Sequence, residues 1–495
     1  MTAMTHPTPV RGSDGIARYP DPLPNLVAAL RITVERVPDA EAVVQVGGPR
    51  LTYAQLWDRA TALAAGLAGA GVRPGDRVGI LLPNGVDWCA AFFAVQLAGC
   101  VAVPINTRLS EPEISHITEN AGLAYVFDLD HLPTRSRSRR IPEAAPDDPA
   151  AIFYTSGTTG RPKGATTTHA NFLANIENAR RLLGVTEPWV SLVSVPLFHV
   201  TGCNSQLLPS VATGGTLVIL PQFDGRSMLR AIESEAITAL MSVPTMYRML
   251  LGQTHLDRYR LGSVRSITFG GSPMPRRLIP ELRELFPRAR LGNGYGLTES
   301  ASFCTYLPDD QVDEHPDSVG FAAPVVDLRL DDPRGTGVGE LLVRGPNVVA
   351  GYWNDPAATA KAFEDGWLRT GDIAAIDDRG LVRIVDRAKD VIIRGGENVY
   401  SAEVERALAE HPSVREVAVT GVPDSIAGEK VAAAIVLVPG EEDQLREVFR
   451  SARKELARYK MPELVAVYRT PLPRNPGGKV IKSLLRTAAW MVAPR

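Results

Sequence analysis

Eleven residues, YTSGTTGRPKG from Tyr154 to Gly164, gather hydroxyls, bare backbone and one ammonium into a single stretch. Gly157, Gly160 and Gly164 let backbone N–H groups approach a ligand closely. Thr155, Ser156, Thr158 and Thr159 add hydroxyl donors, and Lys163 adds a positive charge. Such a set suits polyphosphate oxygens. It is not a Walker A loop, which needs four residues between its glycines and Lys directly after the second; here two residues separate Gly157 from Gly160, and Pro162 precedes Lys163. A Gly/Ser/Thr-rich surface turn is the bland alternative, so the company the loop keeps decides its meaning.

Three more stretches supply that company. In NGYGLTES (Asn293 to Ser300), Tyr295 offers a face on which a purine stacks and Glu299 a hard oxygen for Mg²⁺. Otherwise it is a glycine-rich turn capped by Thr298. In RTGDIA (Arg369 to Ala374), Asp372 can accept both hydroxyls of a ribose; otherwise it sits in a simple Asp-bearing turn. In NPGGKVIK (Asn475 to Lys482), Lys479 lies on a glycine-rich tip near the chain end, a place where lysines are usually just surface.

Elements that could position these residues are legible around them. DRVGILLPN, GGTLVILP and RSITFGGSP are apolar runs ending in Pro or Gly turns, and helical spacing lies between such runs. This alternation implies α/β architecture with parallel sheets covered by helices. The apolar stretch Ala90 to Ile105 is interrupted by Gln96, Gly99 and Pro104 and is short for a membrane span, so it reads as a buried helix running into a buried strand. Leu132 to Ala150 reads as a solvated loop. Beyond RTGDIA the texture changes to short strands and Asp-Asp-Arg-Gly turn chemistry, with a charged break at DRAKD (Asp386 to Asp390) before a small α+β domain. The 495 residues call for more than one domain, and a net charge of -2 argues against nucleic acid or an anionic membrane as main partner. The four scattered cysteines suggest neither a disulfide framework nor a zinc site and fit a reducing cytoplasm.

Four such pieces in this order resemble the adenylate-forming superfamily, in its acyl-CoA synthetase branch, over nearly the whole chain from LTYAQL (Leu51 to Leu56) onward. The resemblance implies a large N-terminal domain of β-sheets sandwiched with helices and a small mobile α+β C-terminal domain. The expected division is a flexible lead-in over 1–22, a core over 23–386, a hinge over 387–389 centred on Lys389, and the mobile domain over 390–495. It implies ATP, Mg²⁺ and coenzyme A as cofactors. The phosphate loop is then Thr155, Ser156, Gly157, Thr158, Thr159, Gly160 and Lys163; Gly270, Gly271 and Ser272 of GGSP lie between adenine and the acyl pocket. Asn293, Gly294, Tyr295 and Gly296 face adenine, Thr298 the α-phosphate, and Glu299 with Thr159 the metal. Asp372 and Arg387 match the ribose pair, Lys479 the adenylation lysine, and Gly395, Gly396 and Glu397 the loop that faces the pocket during thioester formation. PLFHVTG (Pro196 to Gly202) matches the segment whose His199 flanks the acyl carboxylate, as base or as gate. The stretch from Asn120 to Ile152 is shorter than in most relatives.

The expected activity is adenylation of a carboxylic acid with release of pyrophosphate, then transfer of the acyl group to CoA. Amino-acid-activating relatives carry an Asp near the position of His199, and this chain does not. The expected pocket walls are His199, Thr201, Cys203, Asn204, Thr245, Ser302 and Phe303, which suit a fatty, aryl or bulky alicyclic monocarboxylate. A dicarboxylate would need a cation at its far end, and Arg248 and Arg276 are the nearest candidates. A carrier protein as acceptor and a non-catalytic nucleotide- or acyl-binding relative are the rival readings. A homodimer is left open.

Overall fold

The computed structural model describes residues 8–129, 141–155, 161–185, 187–333, 335–474 and 480–494. Its centre is a nine-stranded sheet. Six parallel strands form the middle, in the order Arg290–Leu297, Ser266–Gly270, Ala239–Ser242, Val190–Val193, Thr216–Ile219 and Glu41–Gln45. Antiparallel strands close both edges. A second sheet pairs Leu123–Phe127, Arg77–Ile80, Val101–Pro104 and Pro149–Thr155 in parallel, and Lys163–Thr168 returns antiparallel at its edge. The alternation read from the sequence is thus realised, because parallel strands need helical crossovers to return the chain.

Between these two sheets lies the helix Val86–Leu97, whose named residues are buried on every side apart from Asp87 in its first turn. A helix that is apolar all round has no face to offer water and is stable only inside. Trp88 and Phe92 stack at 5.6 Å, and Phe92 meets Phe172 edge-on at 6.2 Å. The chain then enters the buried strand Val101–Pro104, as the apolar pattern predicts.

A third, antiparallel sheet holds Asp327–Asp331, Val338–Arg344, Trp367–Ile376 and Val382–Arg387. The Asp-Asp-Arg-Gly turn closes the last hairpin: Asp377 accepts the N–H groups of Arg379 and Leu381, at 3.0 and 2.9 Å. After a single turn at Ala388–Asp390 the chain builds the small domain. Its sheet contains Val414–Asp424, Gly428–Leu437 and Leu464–Tyr468, with Ser401–Ala409 and Leu445–Ala452 packed on a core of its own. The fold is therefore mixed α/β with a large N-terminal and a smaller C-terminal domain.

The segment expected to be a flexible lead-in is built differently over its described part. Val10–Arg11 and Ala17–Arg18 form an antiparallel hairpin. Arg11 grips Asp327 with two hydrogen bonds of 2.8 and 2.9 Å, and Tyr19 donates to Asn178 at 2.6 Å. Bidentate Arg–carboxylate pairing supplies local order that composition does not show. Residues 132–140 of the expected solvated loop lie outside the described residues.

Candidate active site

The hairpin of the third sheet sets the first part of the site. Its register puts Asp372 directly opposite Arg387. Arg387 Nε lies 3.1 Å from Asp372 Oδ1, and the Tyr295 hydroxyl donates to Oδ2 at 2.7 Å. Asp372 is buried whereas Arg387 is largely exposed, so the carboxylate is fixed and the guanidinium reaches in from the rim. Burial, reinforced by the neighbouring Asp372 charge, holds the Tyr295 phenol well above its ordinary pKa. Tyr295 is thus a neutral donor, and the carboxylate keeps acceptor capacity for a further partner.

Glu299 sits in the single turn Thr298–Ser300 that follows the Arg290–Leu297 strand. It accepts the hydroxyl of Tyr352 at 2.6 Å. The Lys163 ammonium lies 5.4 Å from the centroid of the same Tyr352 ring, within cation–π range. Tyr352 joins these groups because its segment docks along the edge of the second sheet: Trp353 N–H donates to Gly164 at 2.7 Å and Thr166 N–H to Gly351 at 3.1 Å. Thr155 pairs with Lys163 where the two antiparallel strands end. Two motifs that the sequence separates by well over a hundred residues therefore meet through one tyrosine.

The turn after Glu299 is held under strain. Ala301 and Ser302 both have positive φ, at 50° and 116°, which costs non-glycine residues of order 1–3 kcal/mol each. Buried amides over-determine it. Asn347 donates to the carbonyls of Ser300 and Phe303 (2.9 and 3.0 Å), Asn204 donates to Ala301 (3.1 Å), and Asn175 accepts the Phe303 N–H (3.0 Å). Gly296 is required by the same turn, since a Cβ there would lie 1.4 Å from the Ser302 carbonyl oxygen. Gly270 is required next door, where a Cβ would lie 2.2 Å from the carbonyl oxygen of Gly294.

His199 is exposed and caps the turn Val200–Gly202. Its Nδ1 lies 3.2 Å from both the Thr201 N–H and the Thr201 hydroxyl.

A family model described as "AMP-binding enzyme" matches residues 30–353, and one described as "AMP-binding enzyme C-terminal domain" matches residues 403–479. Feruloyl-CoA synthase of Amycolatopsis sp is 39% identical over 474 residues, covering 91% of this chain and 96% of that protein. Long-chain-fatty-acid–CoA ligase FadD13 of Mycobacterium tuberculosis is 36% identical, with 90% and 94% covered. The o-succinylbenzoate CoA synthetase of Bacillus subtilis, solved with its acyl-adenylate intermediate, superposes with a TM-score of 0.86 at 32% identity, covering 96% of this chain and 99% of that one. The chain belongs to the AMP-binding enzyme family. It is an AMP-forming acid–thiol ligase, which joins a carboxylic acid to CoA at the expense of ATP by way of an acyl adenylate.

Within this AMP-binding enzyme the expected site residues are placed as follows. Tyr295, Asp372 and Arg387 are brought together, as are Lys163 and Glu299. Thr155 ends its strand, Asn293 and Gly294 lie mid-strand in Arg290–Leu297 and Thr298 opens the turn after it, while Gly271 and Ser272 are exposed just past the Ser266–Gly270 strand. Ser156, Gly157, Thr158, Thr159, Gly160 and Lys479 lie outside the described residues. Gly395, Gly396 and Glu397 are exposed at the tip of the Ile392–Arg394 hairpin, braced by the Gly395 N–H on Ala427 at 2.7 Å, and Lys389 is exposed in the Ala388–Asp390 turn.

The expected pocket walls divide. His199 and Thr245 are exposed, Cys203 packs into the core, Asn204 and Phe303 are tied to the strained turn, and the Ser302 hydroxyl bonds that of Ser205. A small cavity of about 20 Å³, room for a single water, begins one residue further on, with Ser205 and Gln206 in its wall. Arg276 is committed to Asp317 at 2.9 Å, and Arg248 is half-buried with its Nη1 on the Arg415 carbonyl at 3.1 Å. Neither is a cation waiting for a second carboxylate. The sequence reading missed Tyr352, Asn175 and Asn347. GYW (Gly351 to Trp353) was the one visible signal, an aromatic pair after a glycine.

Proposed function

We propose that this enzyme adenylates an aryl, fatty or bulky alicyclic monocarboxylate, with the nucleotide seated on the Tyr295–Asp372–Arg387 cluster. The observation that carries this is the buried Asp372 carboxylate, held on both oxygens yet with lone pairs left for the two ribose hydroxyls. Tyr295 stacks on adenine, and Thr298 contacts the α-phosphate. The sites for magnesium were tested on their donors. Glu299 is a hard oxygen oriented by Tyr352, and no cluster of three or more His, Cys, Asp or Glu occurs among the described residues. Such a donor set suits Mg²⁺, which takes one or two carboxylates plus phosphate oxygens and water. Glu299 with Thr159 would hold it, and it would neutralise phosphate charge.

The acid's carboxylate oxygen attacks the α-phosphorus, the bond to the β-phosphate oxygen breaks, and pyrophosphate leaves. Lys163, the phosphate loop and Lys479 offset the repulsion between two anions and hold them in line. The thiol then attacks the acyl carbon and AMP departs. His199 flanks that step as base or gate. We place the hinge at Lys389 and the thioester face at Gly395–Glu397. CoA is the acceptor in this reading, with a carrier protein as the alternative. All four cysteines are buried and reduced, which suits a reducing compartment such as the cytoplasm. Among the described residues no helix is long and apolar enough to cross a membrane.

The test is a panel of aryl, fatty and alicyclic acids assayed for pyrophosphate release and thioester formation, with and without CoA. Acid-dependent release without CoA, and thioester with it, is the expected outcome. A panel in which no acid stimulates release would remove the reading.

A further inference from the structure

Outside the Ala388–Asp390 turn, arginines tie the small domain to the large one in two places among the described residues. Arg406, on the Ser401–Ala409 helix, reaches Asp317 at 3.2 Å. Arg248, on the helix Pro244–Leu251 of the large domain, donates to the Arg415 carbonyl of the small one at 3.1 Å. The two contacts differ in what would remain if the domains parted. Asp317 keeps Arg276, which holds its two oxygens at 2.9 and 2.5 Å from within the large domain. Arg248 has no such second partner. Its Nε is buried with no hydrogen-bond partner, and no carboxylate pairs with it, among the described residues. Burial and the nearby Arg277 charge lower its pKa, and Glu416 and Glu281 pull it partly back. A half-buried guanidinium served by one neutral carbonyl adds little to stability, so the contact is easily broken and remade.

The acceptor is set apart by a break in the sheet. Val414 stands opposite Leu437 and Glu416 opposite Val436, so the register skips Arg415. A residue inserted in this way falls out of the ladder, which leaves its carbonyl open to a partner from outside the sheet. The next residue, Glu416, accepts Arg474 Nη2 at 2.8 Å and the Leu472 N–H at 3.3 Å. Residue 474 bridges in turn to residue 480, and Lys479 falls between them in sequence. The Arg248 contact therefore lies one residue from the anchor of the segment that carries the expected adenylation lysine. On the other side, Pro244–Leu251 follows the strand Ala239–Ser242 directly. It starts at the carboxyl edge of the parallel strands, where α/β sheets take their ligands. In the same arrangement Gly395, Gly396 and Glu397, the expected thioester face, are exposed, and nothing lies within 4 Å of a Cβ built at Gly396.

We propose that Arg248 is a positioning residue for adenylation: by holding the Arg415 carbonyl it seats the small domain for attack on the α-phosphate, and it lets go for thioester formation. The inference rests on the functional reading above and adds to it the large-domain residue that holds one of the two arrangements. Arg248 acts through the docked domain and touches neither acid nor nucleotide.

The experiment separates the half-reactions in Arg248→Leu. The single-turnover rate of pyrophosphate release, at saturating acid and ATP without CoA, should fall about 10-fold, the scale of one hydrogen bond to a charged group. The KM values for acid and ATP should stay as in the wild type. Supplied acyl adenylate should be converted to thioester at the wild-type rate, which also shows that the variant has folded. Arg248→Lys, which can still donate to the carbonyl, should recover part of the release rate. Arg248→Met, of similar length but without a donor, takes the place of Arg248→Leu if that variant fails to fold. An unchanged release rate overturns the proposal. So does an equal loss in both half-reactions, which marks a merely structural role, and so does a raised acid KM at an unchanged rate, which marks a substrate contact. If the wild-type enzyme releases no pyrophosphate with any acid, the functional reading beneath falls instead.

Discussion

Tyr352 shows how a single side chain can couple two motifs. Its hydroxyl fixes one oxygen of Glu299, and its ring faces the Lys163 ammonium. Groups that orient a metal-binding carboxylate commonly cost 10- to 100-fold in affinity or activity when removed. Tyr352→Phe keeps the ring and deletes the hydroxyl. It is therefore expected to lower acyl-adenylate formation about 10-fold at limiting Mg²⁺, and excess Mg²⁺ should restore much of the loss. Titrating pyrophosphate release against Mg²⁺ checks this; an unchanged titration curve would dissociate Tyr352 from the metal. At this scale the sequence was informative where chemistry demands a residue type, as at Asp372 and Glu299. It was silent on Asn175 and Asn347 and gave no role to Tyr352, because a buried aromatic or amide acquires its role only from the partners that tertiary packing brings to it. The expected pocket walls suffered from the same limit. Cys203 is small and neutral, as a wall should be, yet those properties equally suit the core in which it packs.

Secondary-structure elements were the most legible part of the chain, since strands and helices write their periodicity locally. The buried helix Val86–Leu97 and the hairpin closed by Asp377 were both readable this way. What local pattern could not show is how the two domains are stitched beside the Ala388–Asp390 turn. Asp386, buried in the last strand before it, accepts the Ser401 hydroxyl at 3.0 Å and the Ser401 N–H. Lys482 reaches Ser401 Oγ and Glu405, each at 2.7 Å. Burial raises both Asp386 and Glu405 above ordinary carboxyl values, and Lys482 pulls them partly back. A carboxyl with a raised folded pKa binds its proton more tightly in the native state. Its contribution is therefore full at low pH and declines as pH rises from about 4 through the folded value. Removing Lys482 should push both carboxyls higher and steepen that decline. Lys482→Met is expected to cost about 2 kcal/mol near pH 7. That is below the ~3–5 kcal/mol of a fully buried pair, because a fifth of Lys482 and a quarter of Glu405 remain exposed. The deficit should shrink toward pH 4, as thermal unfolding across that range would reveal; a pH-independent deficit would point to lost packing instead.

On the scale of the whole molecule, the two half-reactions place incompatible demands on one site. Adenylation needs a cation at the α-phosphate, whereas thioester formation needs that position cleared and a thiol admitted. Both sets of candidate residues belong to the small domain. Positions 474 and 480, which bracket Lys479 in sequence, bridge to one another, and Arg474 is anchored to Glu416 at 2.8 Å. Gly396 lies on a separate hairpin of the same sheet, joined through the Arg394–Gly428 pairing. Sheet pairings tie both segments to one domain, and in the reading proposed above the half-reactions are divided by rotation about the Ala388–Asp390 turn. The expected result is a crossed pattern. Lys479→Ala should lose at least ~100-fold in acyl-adenylate formation, the scale of deleting one preorganised donor, yet convert supplied acyl adenylate to thioester at near the wild-type rate. Gly396→Trp should do the reverse. Gly396 has φ of +85°, so any side chain there strains the backbone by about 1–2 kcal/mol. Gly396→Ala carries the strain without the bulk and serves as the control. In the arrangement seen here, nothing lies within 4 Å of a Cβ built at Gly396. In the proposed reading the effect of the indole arises where the hairpin faces the pocket. If tryptophan and alanine impair thioester formation equally, strain explains the loss and the turn need never approach the acyl adenylate.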